Sequence, residues 1–257
     1  MGDRDQRALA VVILAAGKGT RMKDPGKAKV MHTIGDRPMV AYVIDLARSV
    51  GAAKTLLVVG WRRESIMEYF SPGPGDLTFV VQEEQKGTGH AVMQTKDALA
   101  DFTGDVLVLS GDVPLLTEKT LRALLGYHRT AGARATILTA EVTDATGYGR
   151  IVRDSGDAVV RIVEEKDTSR AEKKIREINS GIYLFDKVAL FEGLEKLTTD
   201  NAQGEYYLTG IFEFFRDRRW QVSAVKCLDP LEVAGINDLE QLESARRLMM
   251  GRGDALS

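Results

Sequence analysis

The sequence contains one cysteine, Cys227, and no apolar run long enough to cross a bilayer. A single cysteine excludes an internal disulfide framework and a metal site built from cysteines. The formal net charge is −2 at pH 7, so the chain offers no general attraction to nucleic acid or to an anionic membrane. The polar segment 1–7 leads directly into the first predicted strand and lacks the apolar core of a signal peptide. We therefore expect a cytoplasmic protein whose partners are small molecules, with neither a nucleic acid nor a membrane among them.

Apolar runs and helix-like segments alternate through the first 142 residues. Short runs rich in valine and isoleucine predict strands, and segments with a 3.6-residue apolar period predict helices. The predicted strands are 8–14, 55–59, 77–81, 105–109 and 135–142. The predicted helices are 38–50, 64–70, 88–99 and 117–131. This alternation predicts an α/β fold with a mostly parallel central sheet and helices on both faces, in which ligands bind beyond the carboxyl ends of the strands.

The second half of the chain does not continue the regular alternation of strands and helices. A turn at 155–156 joins two strand-like runs and predicts a β-hairpin over 149–164. The other predicted elements are a charged amphipathic stretch at 169–177, strands at 181–185 and 222–227, and helices at 188–197, 206–218 and 238–250. With no internal repeat and no long linker, we expect one domain over 1–250, with a small β-rich insertion that completes a pocket, and a polar tail at 251–257.

The segment that follows the first predicted strand, 14–22, has the features of an anion site. Gly17 and Gly19 leave backbone N–H groups unobstructed, and successive free N–H groups after a strand can cradle phosphates. Arg21, with Lys18 and Lys29 nearby in sequence, would add positive charge where phosphate oxygens gather. The segment matches neither G-x-x-x-x-G-K-[ST] nor G-x-G-x-x-G. An ordinary turn with surface cations explains the spacing equally well, so this loop alone does not decide the function.

Two further polar positions follow predicted strands at the same edge of the sheet. The glycine-bearing segment 82–89 follows the third strand, and Asp112 follows the fourth. Their convergence with the glycine loop favours a nucleotide site. A carboxylate at Asp112 can hold Mg²⁺, although an aspartate that shapes the turn before Pro114 is the alternative. Asn237 could supply a second oxygen, but its place before a predicted helix also suits an ordinary polar turn.

An ordered set of motifs covers nearly all of the chain. The motifs are LAAGKGTRM at 14–22, QEEQKGTGHA at 82–91, GDVPL at 111–115, TGYGRI at 146–151, IVEEKD at 162–167, EINSG at 177–181, NAQGEYYLT at 201–209 and GIN at 235–237. With this set the chain resembles the sugar-nucleotidyltransferase family. More narrowly, it resembles the N-terminal uridylyltransferase half of the bacterial bifunctional N-acetylglucosamine-1-phosphate uridylyltransferases/glucosamine-1-phosphate acetyltransferases. The glycine loop alone marks only the superfamily, whereas the ordered set is specific.

The resemblance implies a Rossmann-like nucleotidyltransferase fold with a nucleotide-binding half at 1–142, a sugar-binding half at 143–237 and a terminal helix at 238–250. It implies transfer of a uridylyl group from UTP to N-acetylglucosamine-1-phosphate, with Mg²⁺ as the cofactor and pyrophosphate as the second product. It also implies roles for individual residues. These are Arg21 and Lys29 in catalysis; Leu14, Ala15, Ala16, Gly17, Gln82, Gly87, Thr88, Ser110 and Gly111 at the nucleotide; Gly149, Glu164 and Asn179 at the sugar; and Asp112 and Asn237 at the metal.

The chain departs from the family pattern at Ala28, where the family has a proline, so Lys27 remains an alternative to Lys29 as the working cation. The chain has no hexapeptide repeat of a left-handed β-helix, and we do not expect it to carry acetyl transfer. Whether Ser257 is the natural C-terminus and what the oligomeric state is both stay open. The alternative functions are transfer to another sugar phosphate, such as glucose-1-phosphate with UTP or dTTP, and non-catalytic binding of a sugar nucleotide. His90 is expected to be structural, because the attacking phosphate oxygen is already an anion.

Overall fold

The fold is taken from a computed structural model of the chain, which describes residues 7–22, 24, 26–71 and 77–254. The strands are β1 (Leu9–Ala15), β2 (Thr33–Ile34), β3 (Arg37–Pro38), β4 (Lys54–Val59), β5 (Leu77–Val81), β6 (Asp105–Ser110), β7 (Ala135–Glu141), β8 (Gly149–Arg153), β9 (Val159–Val163), β10 (Glu177–Asp186) and β11 (Val222–Lys226). The helices are α1 (Met39–Ser49), α2 (Arg63–Phe70), α3 (Thr88–Met93), α4 (Glu118–Ala131), α5 (Lys187–Leu194), α6 (Ile211–Asp217) and α7 (Leu239–Asp254). Within these described ranges, no helix has the length and hydropathy of a membrane span.

Nine of the described strands form one sheet, whose main path runs in the order β5, β4, β1, β6, β10, β7, β11. β4 and β6 flank β1 in parallel, β5 runs parallel to β4, and β11 runs parallel to β7. β10 lies antiparallel between β6 and β7, and the β8–β9 hairpin pairs with the free end of β10. The prediction of a mostly parallel sheet is confirmed, as is the predicted hairpin.

Helices cover both faces of the sheet, as predicted, because successive side chains of a strand point to opposite faces. Val11 of β1 is fully buried in one core cluster with Val43 of α1 and Leu124 of α4. Its neighbour Val12 is fully buried in a second cluster, with Phe212 of α6. Full burial of such a side chain stabilises the fold by about 1.5–3 kcal/mol. The two clusters hold the strands rigidly, so the loops at their carboxyl ends start from fixed positions.

Some predicted elements differ from the structure, and the differences have local causes. The helix predicted at 88–99 ends at Met93, where the Thr95 hydroxyl donates to the carbonyl of Val92 (2.7 Å) and competes with helical hydrogen bonding. The helix predicted at 206–218 starts only at Ile211, after a 3-10 turn. The amphipathic stretch 169–177 contains no α-helix, only a single 3-10 turn at Glu172–Lys174.

One strand and the terminal helix differ from the prediction in extent. The strand predicted at 181–185 is the ten-residue β10, which carries a register irregularity between Asn179 and Ile182. The terminal helix is capped by the Asp238 carboxylate, which accepts from the backbone N–H of Gln241 (2.8 Å), and it continues to Asp254 through the first part of the predicted tail. Residues 1–6, most of the predicted loop at 71–75, and 255–257 lie outside the described residues.

A buried charge cluster closes the amino-terminal edge of the sheet. Asp105, the first residue of β6, is fully buried, and the Arg7 guanidinium contacts it (3.0 Å) and also Asp186 (2.7 Å). His128 of α4 lies beside this cluster, with its Nδ1 2.8 Å from the Thr136 hydroxyl. Burial, assisted by the charge of Arg7, lowers the pKa of His128 to about 4. His128 is therefore neutral at physiological pH.

Candidate active site

A cavity of about 480 Å³ opens at the carboxyl ends of the parallel strands. It collects every residue that was predicted to bind the nucleotide except Gly111, together with Lys29 and Asp112. The residues that line it are Leu14, Ala15, Ala16, Gly17, Lys18, Lys29, Val30, Gln82, Gln85, Gly87, Thr88, Ala91, Ser110, Asp112 and Glu205. Segments far apart in sequence therefore converge at the edge that the strand pattern predicted.

The glycine loop brings a lysine side chain into this cavity. Gly17 is exposed, and a Cβ at this position would contact nothing within 4 Å. Gly19 adopts a φ of +59°, a left-handed conformation that favours glycine, and a Cβ there would overlap the side-chain stem of Lys29. Gly19 thus makes the space through which Lys29 passes to the cavity.

Lys29, Asp112 and Asn237 meet in one cluster. The ammonium group of Lys29 donates to the Asp112 carboxylate and to Oδ1 of Asn237, which lies 3.0 Å away. The side-chain nitrogen of Asn237 donates to the carbonyl of Gly235 (3.0 Å), and this directs its oxygen towards Lys29. The backbone N–H of Ile236 donates to the carbonyl of Asp112 (2.9 Å) and fastens the two segments together. The lysine therefore binds both oxygens that the resemblance assigns to Mg²⁺.

The chemistry of this oxygen pair fits a magnesium ion. A carboxylate and an amide oxygen are hard donors, and Mg²⁺ usually completes its shell with water and substrate phosphates. The bound ammonium shows that the pair accepts a cation. Gly235 lies next to this oxygen pair: a Cβ at this position would lie 3.4 Å from the Asn237 nitrogen and 3.6 Å from an Asp112 oxygen, and its absence keeps that space open. Since the described residues contain no group of three or more His, Cys, Asp or Glu that could hold a metal, an ion here would take its other ligands from water and substrate.

Some predicted residues take other positions. The backbone N–H of Gly111 donates to the carbonyl of Leu14 (2.9 Å), and a Cβ at Gly111 would lie 3.1 Å from that oxygen, so this glycine serves close packing. Arg21 is exposed on a 3-10 turn and makes no hydrogen bond or ion pair with another residue of the described ranges. Of the two candidate lysines, Lys29 lines the cavity and Lys27 does not.

A buried amide lines the same cavity. Gln82 follows β5 and is 3% exposed. Its Nε2 donates to the carbonyl of Gly87 (3.1 Å) and lies 3.0 Å from Nδ1 of His90. Gly87 has a φ of +107°, and a Cβ there would lie 2.6 Å from the carbonyl oxygen of Tyr206, so only glycine fits. Backbone hydrogen bonds from Gly89 to Tyr206 and from Tyr206 to Lys86, both 2.8 Å, fix this loop to the second half of the chain.

A second cavity of about 200 Å³ adjoins the first and shares Leu14, Thr88 and Ser110 with it. The three residues predicted at the sugar, Gly149, Glu164 and Asn179, all line this second cavity. Gly149 lies opposite Asn179 where β8 pairs with β10. A Cβ at Gly149 would lie 3.4 Å from both the Glu164 carboxylate and the Asn179 side chain, which shows how closely the three converge.

Neighbouring side chains orient the polar groups of the second cavity. The Thr209 hydroxyl donates to the Glu164 carboxylate (2.9 Å), and burial raises the pKa of Glu164 above its ordinary value despite this bond. The side-chain nitrogen of Asn179 donates to the Tyr183 hydroxyl (2.7 Å), and its oxygen accepts the backbone N–H of Gly181 (3.2 Å). The cavity thus presents fixed polar groups to a ligand.

Sequence reasoning missed several of these residues. Gln85 and Glu205 line the first cavity, and Thr209 and Tyr183 hold the polar groups of the second. Glu205 and Thr209 lie within the motif at 201–209, so the motif did mark the segment. Their positions depend on the pairing of distant segments: Thr209 contacts Glu164, 45 residues earlier in the chain, and the backbone N–H of Leu208 donates to the hydroxyl of Thr88, 120 residues earlier. No local pattern encodes such a contact.

Curated proteins with sequences similar to this chain include two bacterial proteins of the same name. "Bifunctional protein GlmU" of Geobacter sulfurreducens is 48% identical over 239 residues, which are 93% of this chain and 50% of that protein. The protein of the same name in Pelotomaculum thermopropionicum is 47% identical over 244 residues, 95% of this chain and 52% of that protein. The chain therefore spans about half the length of these curated relatives.

A solved structure of UDP-glucose pyrophosphorylase complexed with UDP-glucose matches the fold with a TM-score of 0.77, covering 95% of this chain and 99% of that one. At 17% sequence identity this likeness concerns the fold alone, and it confirms the predicted Rossmann-like nucleotidyltransferase fold. The family model described as nucleotidyl transferase matches residues 10–224, from β1 into β11, and so takes in both cavities. This chain belongs to the nucleotidyl transferase family.

Proposed function

We propose that this protein transfers a uridylyl group from UTP to N-acetylglucosamine-1-phosphate and releases pyrophosphate. The observation that supports this most directly is the pair of adjoining cavities, which share Leu14, Thr88 and Ser110. Two ligands bound in these cavities would meet at the shared residues, which is what a transfer between them requires.

The first cavity suits a nucleoside triphosphate. Its volume, about 480 Å³, lies within the range of roughly 300–1,000 Å³ that is usual for ligand sites. The backbone of the glycine loop forms one wall, and Lys18 and Lys29 bring positive charge to it. Gln82 also lines the cavity, and its carboxamide can donate to and accept from the edge of a base. We assign the phosphates to the loop and the base to Gln82.

The proposed reaction needs no protein nucleophile. An oxygen of the sugar phosphate forms a bond to the α-phosphorus, while the bond from that phosphorus to the bridging oxygen breaks and pyrophosphate leaves with the electron pair. The attacking oxygen is already an anion at neutral pH, so no protein base has to remove a proton. The work left to the chain is to align the reactants and to offset negative charge.

Lys29 offsets much of this negative charge in the proposed mechanism, because its largely buried side chain lines the cavity together with the glycine loop. Asp112 and Asn237 are proposed to hold Mg²⁺, which when bound would supply further positive charge to the phosphate oxygens. Arg21 is proposed as a second cation, acting from its exposed place on the loop. These roles agree with the contacts among Lys29, Asp112 and Asn237, which gather a cation and two cation ligands at one point.

The second cavity supports the choice of an acetamido sugar phosphate. Glu164 and Asn179 can accept from or donate to sugar hydroxyl and amide groups, and Gly149 leaves space between them. Thr209 and Tyr183 keep these groups in place. A sugar bound here would place its phosphate towards the residues that the two cavities share.

The test is release of pyrophosphate with Mg²⁺ across a matrix that pairs UTP, dTTP and ATP with N-acetylglucosamine-1-phosphate and glucose-1-phosphate. Turnover confined to UTP with the acetamido sugar is the expected result. Turnover with another pair would overturn the assignment of base or sugar. No turnover with any pair, combined with tight binding of a UDP-sugar, would replace the proposal with a binding protein.

A further inference from the structure

We propose that His90 is a positioning residue, which fixes the direction of the Gln82 carboxamide and thereby selects nucleotides whose base carries an imide N–H. The inference rests on the proposed binding of UTP in the first cavity. His90 itself is not among the residues that line this cavity, so it would act through Gln82 alone.

The direction of the Gln82 amide follows from its neighbours. The carbonyl of Gly87 can only accept, so the side-chain atom 3.1 Å from it must be the NH₂ group. The same NH₂ group lies 3.0 Å from Nδ1 of His90. Its two hydrogens are therefore taken by Gly87 and His90. The atom left for a ligand is the amide oxygen, which accepts no hydrogen bond from any residue of the described ranges.

The arrangement also fixes the protonation state of the His90 ring. Both ring nitrogens face amide groups, Nδ1 that of Gln82 (3.0 Å) and Nε2 that of Gln94 (3.2 Å). A neutral imidazole accepts at one nitrogen only. Gln82 is buried and makes the shorter contact. The Gln94 side chain is half-exposed, and its NH₂ group has a second acceptor in the backbone carbonyl of His90 (3.1 Å), so it does not depend on Nε2. Nδ1 is thus the acceptor, and Nε2 carries the proton.

This geometry determines which bases the oxygen of Gln82 accepts. Uracil carries a hydrogen on N3 and can donate it to the amide oxygen, whereas cytosine has a lone pair on N3 that would face that oxygen. A buried acceptor that faces another acceptor is left without a partner, which costs more than the loss of one hydrogen bond. His90 would hold the amide in the orientation that favours uracil, because turning it over would bring the amide oxygen against the lone pair of Nδ1 and against the carbonyl of Gly87.

The surroundings of the ring keep it neutral near physiological pH. Burial lowers the pKa of His90, and the charge of Lys86 lowers it further, while Glu84 opposes them. Tyr206 stacks on the ring with the two centroids 6.3 Å apart. A proton on Nδ1 would face the NH₂ group of Gln82, so protonation should turn the amide and weaken binding of UTP. The loss is expected on the acid side of the ordinary histidine range, since the pKa is lowered.

The experiment compares the binding of UTP and CTP to the whole chain by titration calorimetry. Variant H90L removes the acceptor, and variant H90N offers an amide oxygen where Nδ1 stood. Q94L is the matched control, since it removes the contact at Nε2 and leaves Nδ1 as the acceptor. A thermal melt of each variant establishes that it is folded. The unchanged protein is also titrated with UTP across the acid range.

We expect the preference for UTP over CTP to fall by about tenfold in H90L, the effect of one hydrogen bond, and to persist in H90N and Q94L. We also expect the affinity of the unchanged protein for UTP to fall in acid, and that of H90N to lack this fall. A merely structural role for His90 would weaken both nucleotides equally and would overturn the inference. Absence of UTP binding to the unchanged protein would instead overturn the proposed function together with the inference.

Discussion

Replacing Gly19 with alanine should displace Lys29, although Gly19 is not itself among the residues that line the first cavity. Gly19 has a φ of +59°, and its Cβ would overlap the Cβ of Lys29 and crowd the next two carbons of its side chain. A change of rotamer cannot relieve this overlap, because the Cβ of Lys29 is fixed to the backbone. The hydrogen bond from the backbone N–H of Met22 to the carbonyl of Gly19 (3.0 Å) holds the loop, so we expect the backbone at Lys29 to shift and to carry its side chain away. The ammonium group would then leave Asp112 and Asn237.

The expected magnitude has two parts. Alanine in the left-handed region costs about 1–2 kcal/mol of folding stability. Loss of one positioned charge that stabilises the transition state lowers the rate by about 10²- to 10³-fold, or roughly 3–4 kcal/mol of activation free energy. The first part is a cost of backbone strain at any such glycine. The second part should occur only where Lys29 is displaced.

Gly35 is the matched control, since its φ is +60° and a Cβ there would approach only the Tyr42 hydroxyl, at 4.0 Å. Urea denaturation and pyrophosphate release would be measured for Gly19→Ala and Gly35→Ala side by side. Both variants should lose the stability that the left-handed backbone costs, with a further loss in Gly19→Ala from the overlap with Lys29, and only Gly19→Ala should lose kcat/KM. Equal kcat/KM in the two variants would refute the view that Gly19 positions Lys29.

Three further predictions follow from contacts described above. Asp112→Ala should abolish Mg²⁺-dependent turnover and leave the fold intact by circular dichroism, and unchanged turnover would contradict the metal assignment. Lys29→Met should raise the affinity for Mn²⁺ in a calorimetric titration, because it frees the oxygens of Asp112 and Asn237 from a competing ammonium; equal or weaker binding would argue against competition. Lowering the pH from 7 to 5 should cost the unchanged protein about 1–2 kcal/mol more stability in urea denaturation than it costs His128→Gln. The reason is that the pKa of His128 is about 4 in the folded protein and about 6.5 in the unfolded chain, so only the unfolded chain takes up the proton in this range. The same loss in both proteins would show that His128 is not the buried neutral base.

The strands of the first half could be predicted closely because each is a short, uninterrupted apolar run between polar segments. β10 was predicted too short, since the polar residues Asn179 and Ser180 interrupt its apolar pattern next to the point where the register shifts. The 3-10 turn before α6 was missed because aromatic residues on both sides of it share a helical period. The direction of β10 could not be predicted either, because it depends on which strands it meets and not on its own residues.

The site residues also fall into those that the sequence could predict and those that it could not. Spacing along the chain placed the glycine loop, the segment after β5 and Asp112 at one edge, since the carboxyl ends of parallel strands lie together. Spacing could not choose between Lys27 and Lys29, because the choice depends on the left-handed turn at Gly19 and the path it opens. Nor could it reveal that both amide hydrogens of Gln82 are already engaged.

The place of β10 in the sheet has a consequence for how the protein is made. β7 pairs with β10 and β11, and both of these come later in the chain. During synthesis on the ribosome, the edges of β6 and β7 that face β10 therefore have no pairing strand until β10 has been synthesised and can insert between them. Such edges are templates for wrong pairing. We expect that a fragment cut at residue 142, the boundary between the predicted halves, would keep the nucleotide-loop residues and yet fail to fold, because β7 would have no strand beside it.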